Sequence, residues 1–196
     1  MAWDTERTRK LLLDAAVEEF AARGRAGARI DRIAAAAGVN KERIYQYFGG
    51  KDALFDAVVL AELDHLAEAV PLDAATPEAL IEYAGEVFDH YRERPHLARL
   101  LHWEGLELGH EPGVQEGPRT ERYRAKVAVV AKCLPETART RLRPEDVLLT
   151  IIFLATSWHV MPQLNRMILG PAEHDAERRR DALVWTIRRL VAPDAH

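Results

Sequence analysis

Residues 30–55 read IDRIAAAAGVNKERIYQYFGGKDALF, and the rest of the chain is read outward from them. Ile33, Ala34 and Ala37 recur at helical spacing and give a short helix one apolar face. Gly38 stands where a helix end needs a residue that tolerates a left-handed backbone. Val39 is an apolar anchor under the turn. Asn40 suits the N-cap of a second helix, because its side-chain oxygen can accept a backbone N–H just downstream. Ile44 and Phe48, one turn apart, face inward in that helix. Lys41, Glu42, Arg43, Tyr45, Gln46 and Tyr47 leave polar and aromatic groups facing out. Gly49 and Gly50 break it. Two short helices joined by a tight turn with glycine form a helix-turn-helix, whose second helix reads DNA in the major groove.

The chain has 196 residues, 48% of them hydrophobic, which is enough for a packed core. Ala, Leu, Glu and Arg dominate, and no alternating Val/Thr/Tyr run marks a strand, so the fold class is all-α. Upstream, a helix from Asp4 or Thr5 to about Arg23 buries Leu12, Leu13, Ala16, Val17 and Phe20 and ends at Gly24. Downstream, Lys51 opens a helix to about Val70, with Leu54, Val58, Ala61, Leu66 and Ala69 inward and Pro71 as its stop. The segment PLDAATP is the linker. Thr76 and Pro77 begin a helix with Leu80, Ile81, Ala84, Val87, Phe88 and Tyr91 that ends before Pro95. The next helix holds Leu97, Leu100, Leu101, Trp103, Leu106 and Leu108. Residues 109–118, rich in glycine and proline, make a loop, and a helix spans about residues 119–134. Pro144, Glu145 and Asp146 start a helix whose residues 147–161 are apolar nearly all round, as in a helix covered on several sides. Pro162 kinks or ends it. Gly170 and Pro171 close the QLNRMIL segment, and residues 175–191 form a last amphipathic helix.

Charge and residue usage narrow the function. The net charge of −4 rules out a globally basic nucleic-acid binder. Residues 1–56 nevertheless hold ten Lys/Arg against nine Asp/Glu, which leaves seventeen against twenty-two of the chain's 27 and 31 for the remainder. That distribution fits a DNA-binding head on an acidic body. Cys133 alone permits no internal disulfide and no cysteine-based zinc site. The sole serine, Ser157, lacks a Gly-x-Ser-x-Gly context, which excludes a hydrolase nucleophile elbow. His102-Trp103-Glu104 matches the His-x-Glu of zinc deaminases, but without the Pro-Cys-x-x-Cys partner. There is no phosphate loop, dinucleotide fingerprint or His-x-x-x-His spacing. No cofactor and no enzymatic activity are expected. The start of the chain has no apolar signal region, and no run reaches about 18 uncharged apolar residues. The expectation is a soluble, cytoplasmic protein with no membrane partner.

Thr8-Arg9, Ala15-Ala16, Phe20, Gly24, Ile33-Ala34, Gly38-Val39, Ile44-Tyr45, Tyr47-Phe48, Lys51 and Leu54-Phe55 stand at spacings that resemble, without insertion, the TetR family of transcriptional regulators. The resemblance implies a helix-turn-helix domain over residues 1–50, a connecting helix over 51–70, and a helical ligand-binding and dimerisation domain over 71–196. It implies a homodimer with two recognition helices in successive major grooves of a palindromic operator on double-stranded DNA. It also implies a repressor released by a small-molecule effector that binds better to a form not spaced for DNA. On this resemblance Lys41 and Arg43 face the DNA, and Lys51 grips the backbone. Tyr45 and Tyr47 offer hydroxyls to phosphates or ring edges to thymine methyls. Relatives carry Thr or Ser near the start of the second helix, where this chain has Ala28 and Arg29. The cap is lost, and Arg29 either replaces the phosphate contact as a longer, charged donor or does not, because a cation at a helix N-terminus is unfavourable. Arg7, Arg9 and Lys10 reach either phosphates or solvent. The rival reading is a helical small-molecule-binding protein or enzyme without DNA function, and the basic, aromatic recognition helix argues against it.

Two further expectations concern the body. The helix of residues 144–161 is apolar on more sides than one small domain covers. It therefore pairs with the last helix across a two-fold axis, through Val147, Ile151, Leu183, Ile187 and Leu190, the alternative being that both helices simply fill the core of one chain. In the helix that follows Pro95, Glu104 falls inside the arc of Leu97, Leu100, Leu101 and Leu108. A carboxylate there is paired with Arg99, Arg122 or Arg124, lies at a solvent-facing helix end, or lines a cavity and orients a cationic or hydrogen-bonding ligand. Phe88, Tyr91, Trp103, Tyr123, Phe153, Trp158 and His159 are the candidate walls of that cavity.

Overall fold

The computed structural model describes residues 2–73, 75–170 and 175–191. Pro171 and part of the PLDAATP linker lie outside these residues. Every regular element among them is a helix: α1 (Ala2–Gly27), α2 (Ile30–Ala37), α3 (Glu42–Phe48), α4 (Lys51–Ala69), α5 (Pro77–Glu93), α6 (His96–Leu108), α7 (Glu116–Cys133), α8 (Glu136–Arg139), α9 (Pro144–Val160), α10 (Pro162–Leu169) and α11 (Ala176–Val191). The chain divides into two compact units. One holds residues 1–65 and 96–116, the other residues 66–95 and 117–196.

The first unit is built on the apolar stripes that the sequence displays. Leu12, Ala16 and Phe20 of α1 meet Ile33 and Ala34 of α2, Ile44 of α3, and Leu54, Phe55, Val58 and Val59 of α4, all buried. Phe20 and Phe55 pack edge to face at 5.2 Å, the arrangement that ring quadrupoles favour. In α4, Ala69 is exposed and Glu62 is buried instead, so the inward face drifts from the expected one toward that end. Helix α1 does not stop at Gly24. Its backbone breaks there (φ 69°, ψ 177°) and resumes for one more turn. The break frees polar backbone groups, and α6 answers them. Arg99 Nε and Trp103 Nε1 both donate to the Ala21 carbonyl, at 2.8 and 3.2 Å. The Glu107 carboxylate accepts the Ala26 N–H at 3.1 Å.

In the second unit α5, α9 and α11 pack against one another. Thr76 caps α5 as its sequence implies, its Oγ1 accepting the Ala79 N–H at 3.2 Å, with Pro77 in the first turn. Arg180 Nε donates to Asp89 at 2.6 Å and Arg92 to Glu177 at 3.0 Å, tying α11 to α5. Helix α9 ends at Val160, and Pro162 opens α10 at an angle of 91°. Proline is tolerated in that first turn, where its missing N–H has no helical partner anyway. Among the described residues no single helix is long and apolar enough to cross a membrane.

The expected dimer contacts need correction. Val147, Ile151, Leu183 and Ile187 are at most 4% exposed within this one chain. They fill the core between α5, α9 and α11, where no partner can touch them, and Leu190 is half-buried. Among the described residues, the large apolar side chains exposed in the second unit are Tyr123 of α7, Leu149, Phe153 and Leu154 of α9, Met161, Leu164, Met167 and Ile168 at and in α10, and Trp185 of α11.

Gly24 is the tightest backbone constraint in the first unit. Its φ/ψ belongs almost only to glycine, and a Cβ there would run into the Glu107 carboxylate and stand 2.8 Å from the Trp103 ring. Gly24→Ala is expected to destabilise the protein by about 2–4 kcal/mol, strain and overpacking together. Urea unfolding measures this, with Gly27→Ala, which meets no atom closer than 3.4 Å, as the mild control.

Candidate nucleic-acid interface

Helices α2 and α3 are short, and their ends are held from outside. Arg29 occupies the N-cap of α2 in extended backbone and makes no side-chain cap bond, so the lost Thr/Ser cap is real. Its replacement comes from α1. The Glu19 carboxylate accepts the Arg29 backbone N–H at 3.0 Å and Arg32 Nε at 2.7 Å, with Arg23 at 3.4 Å. An anion thus sits at the positive end of the α2 dipole. Burial pushes the Glu19 carboxyl up, but the Arg32 and Arg29 hydrogen bonds and the charges of Arg32 and Arg23 outweigh it, and the group titrates below its usual range. Nothing local in the sequence marks Glu19, because its partners lie across a turn.

At the other end of α2, Gly38 adopts φ 66°, and its N–H and that of Val39 return to carbonyls of the last turn. This is the glycine-ended helix that the sequence implies. The start of α3 differs from expectation. Asn40 gives only its backbone carbonyl, to the Arg43 N–H at 3.0 Å; Lys41 is the N-cap, and no side chain caps the helix. Gly49, at φ 86°, ends α3.

Lys41, Arg43 and Tyr45 all lie on the exposed side of α3, while Ile44 is fully buried beneath them. Tyr45 is 56% exposed, so it belongs to the outer face and not to the core. Lys41 Nζ pairs with Asp31 of α2 at 3.1 Å, both groups well exposed. Arg43 donates to Gln46 at 2.9 Å and lies 5.9 Å from the Tyr47 ring. Tyr47 is half-buried against the core. Arg9 of α1 donates to the Tyr47 carbonyl at 3.3 Å and stacks 4.6 Å over the Phe48 ring. It therefore clamps the negative end of α3. Lys51 Nζ reaches the carbonyls of Ala26 and Ala28 at 3.4 and 3.5 Å, steadying the link between α1 and α2. The result is a rigid two-turn helix whose outer face is crowded with hydrogen-bond donors.

Trp103 and Glu104 belong to the first unit, and Phe88, Tyr91, Tyr123, Phe153, Trp158 and His159 to the second. Glu104 is buried, as its position on the helical arc implies, but it accepts the Val114 backbone N–H at 2.7 Å and so fixes the loop after α6. The Trp103 indole serves the α1 break. Phe153 is 60% exposed. Arg179 stacks over Trp158 at 4.2 Å. Burial, then the Arg179 charge, lowers the pKa of His159. Phe88 and Tyr91 are buried on α5.

Comparison with known proteins agrees with this geometry. Residues 12–58 match the family model for bacterial regulatory proteins of the tetR family, and residues 79–189 match that of the tetracyclin repressor-like C-terminal domain. The chain belongs to the TetR family. As a member of it, the protein is a DNA-binding transcriptional regulator with α2 and α3 as its helix-turn-helix. It is 38% identical over 191 residues to the HTH-type transcriptional repressor SCO4008 of Streptomyces coelicolor, covering 97% of this chain and 98% of that one. It is 37% identical over 112 residues to the HTH-type transcriptional repressor NicS of Pseudomonas putida, covering 55% and 53% of the two chains. The crystal structure of a candidate transcriptional regulator, SCO4942 of Streptomyces coelicolor, superposes with a TM-score of 0.77. That match has 34% identity and covers 95% of this chain and 99% of the other.

A depressed carboxyl at Glu19 carries a definite sign. Its stabilisation is complete above the ordinary glutamate value of 4.5 and is lost as pH falls below that value toward the lowered one. Glu19→Gln is expected to cost about 1–2 kcal/mol at neutral pH, the worth of charged hydrogen bonds at a partly wetted site. Its stability should then fall less steeply than wild type as the pH drops below 4.5. Unfolding curves across that window check both points.

Proposed function

We propose that this TetR-family protein is a repressor that binds a palindromic operator as a homodimer and leaves it when a small molecule occupies the second unit. The observation that carries the DNA part is the outer face of α3, where Lys41, Arg43 and Tyr45 stand exposed on a helix held by buried Ile44, by Arg9 and by its Gly49 end. Lys41 and Arg43 are assigned to base edges, and Tyr45, Tyr47, Arg29 and Lys51 to phosphates. Lys41 must leave Asp31 to do so, and an exposed pair gives way easily. Similarity over nearly its whole length to a protein named as a repressor supports the sign of regulation.

The test is a mobility shift on the DNA flanking the protein's own gene, titrated with salt. Lys51→Ala is expected to weaken all duplexes alike and to lower the salt slope by about one unit. Lys41→Ala or Arg43→Ala is expected to relax preference at particular base pairs by roughly 1–3 kcal/mol where the contact is bidentate to guanine. Equal losses on operator and random DNA would remove Lys41 and Arg43 from base reading.

Dimerisation is assigned to the outer faces of α9 and α11, through Leu149, Phe153 and Trp185, in place of the buried residues that sequence periodicity selects. Isolated exposed apolar residues are ordinary, but three large ones on two helices that pack together mark an interaction surface. Phe153→Asp or Trp185→Asp is expected to give a folded monomer by sedimentation at micromolar concentration. Ile187→Asp, fully buried, should instead unfold the second unit.

A further inference from the structure

The second unit contains a polar cluster that DNA recognition does not use. Lys126 of α7 places its Nζ 2.8 Å from the Tyr83 hydroxyl of α5 and 4.8 Å from the Tyr83 ring centre. Tyr83 is 4% exposed and Tyr91, two turns further along α5, is 2% exposed. Tyr123 precedes Lys126 by one turn of α7. It stands close enough to Tyr83 and Tyr91 that ionising one phenol would hinder the others.

The cluster is rich in donors and lacks an anion. No carboxylate of a described residue lies within ion-pair distance of Lys126, and burial alone holds its ammonium below the ordinary lysine range. Lys126 is half-buried, and an ammonium partly withdrawn from water without a counter-ion gains when an anion enters beside it. Burial pushes the Tyr83 and Tyr91 phenols up, which keeps both protonated. Tyr83 accepts from Lys126, so its own O–H is left to donate onward. The Tyr91 hydroxyl makes no hydrogen bond to a described residue. The Lys126 ammonium and the Tyr83 hydroxyl stand together at 2.8 Å, and the Tyr91 and Tyr123 phenols lie near enough to feel the same charge. A single positive charge balances a monoanion; a dianion would leave net charge buried, and a cation would meet Lys126 head on. A carboxylate offers two adjacent acceptor oxygens to such a set, and the rings suit an apolar body attached to it.

We infer that Tyr83, Tyr91 and Lys126 bind an organic carboxylate, and that the small molecule to which this regulator responds is an acid. The second half rests on the effector reading given above; the first half stands without it.

Calorimetry on the full-length protein tests the site with benzoate, phenylacetate and hexanoate, each against its own primary amide. At least one acid is expected to bind, with its amide weaker by about tenfold or more, the worth of a charged hydrogen bond. Lys126→Met should erase that difference while remaining folded, since it replaces a half-buried ammonium with an apolar side chain of similar length. Tyr83→Phe, nearly isosteric, should weaken the acid by a smaller factor. The site is refuted if no acid binds, if acid and amide bind alike, if benzyltrimethylammonium binds where the acids do not, or if Lys126→Met holds the acid unchanged. A mobility shift on operator DNA separates the two halves. Release by the acid that binds supports the effector role. An acid that binds without releasing DNA leaves the site standing and ends that role. DNA binding in the absence of any acid reports on the regulator reading independently.

Discussion

A helix of seven or eight residues does not hold itself together in water, because nucleation costs more than so few hydrogen bonds return. Helices α2 and α3 are of that length. Their order must come from outside, and the first unit is arranged around supplying it. Ile33 and Ile44 are fully buried in the core beneath them. Glu19 stands in for the missing cap of α2, Arg9 closes the far end of α3, and glycines terminate both helices without strain. A recognition helix that arrives already ordered loses little conformational freedom on meeting DNA, so contact energy is not consumed in folding it.

The same unit keeps its cations lightly occupied. Lys41 rests on Asp31 and Lys51 on two carbonyls at long range. On the proposed reading, base edges for Lys41 and a phosphate for Lys51 take the place of these partners, and a phosphate is a stronger one for Lys51 than two distant carbonyls. The surface proposed to face DNA is in this sense satisfied but exchangeable. Arg9, by contrast, is committed to Tyr47 and Phe48 and acts on the shape of the reading helix.

Much of this is legible from residue order, and the misses have physical causes. The Gly38 turn, the Ile44 anchor and the Thr76 cap are local signals, set by backbone conformations that few residues tolerate, and they read correctly. Asn40 carries an equally good local signal, yet Lys41 takes the N-cap, since tertiary packing overrides a preference worth about 1 kcal/mol. Glu19 is invisible because its partners are a backbone N–H and a guanidinium on another helix. For Glu104 the helical arc gives burial correctly, but periodicity cannot say which group covers a buried face. A loop residue, Val114, supplies one of its partners. Leu183 and Ile187 illustrate the same limit: their stripe is real, and it is covered by α5 and α9 of the same chain.

The contact at Gly24 also constrains how this sequence can change. The Trp103 ring and the Glu107 carboxylate occupy the space that any larger residue at position 24 would need. Those two side chains in turn satisfy backbone groups exposed by the break that Gly24 makes. The three positions are therefore epistatic. The effect of a substitution at one depends on what stands at the other two, and energies measured singly will not add. A path from this sequence to a straight first helix must change all three, and its intermediate steps are less stable than either end.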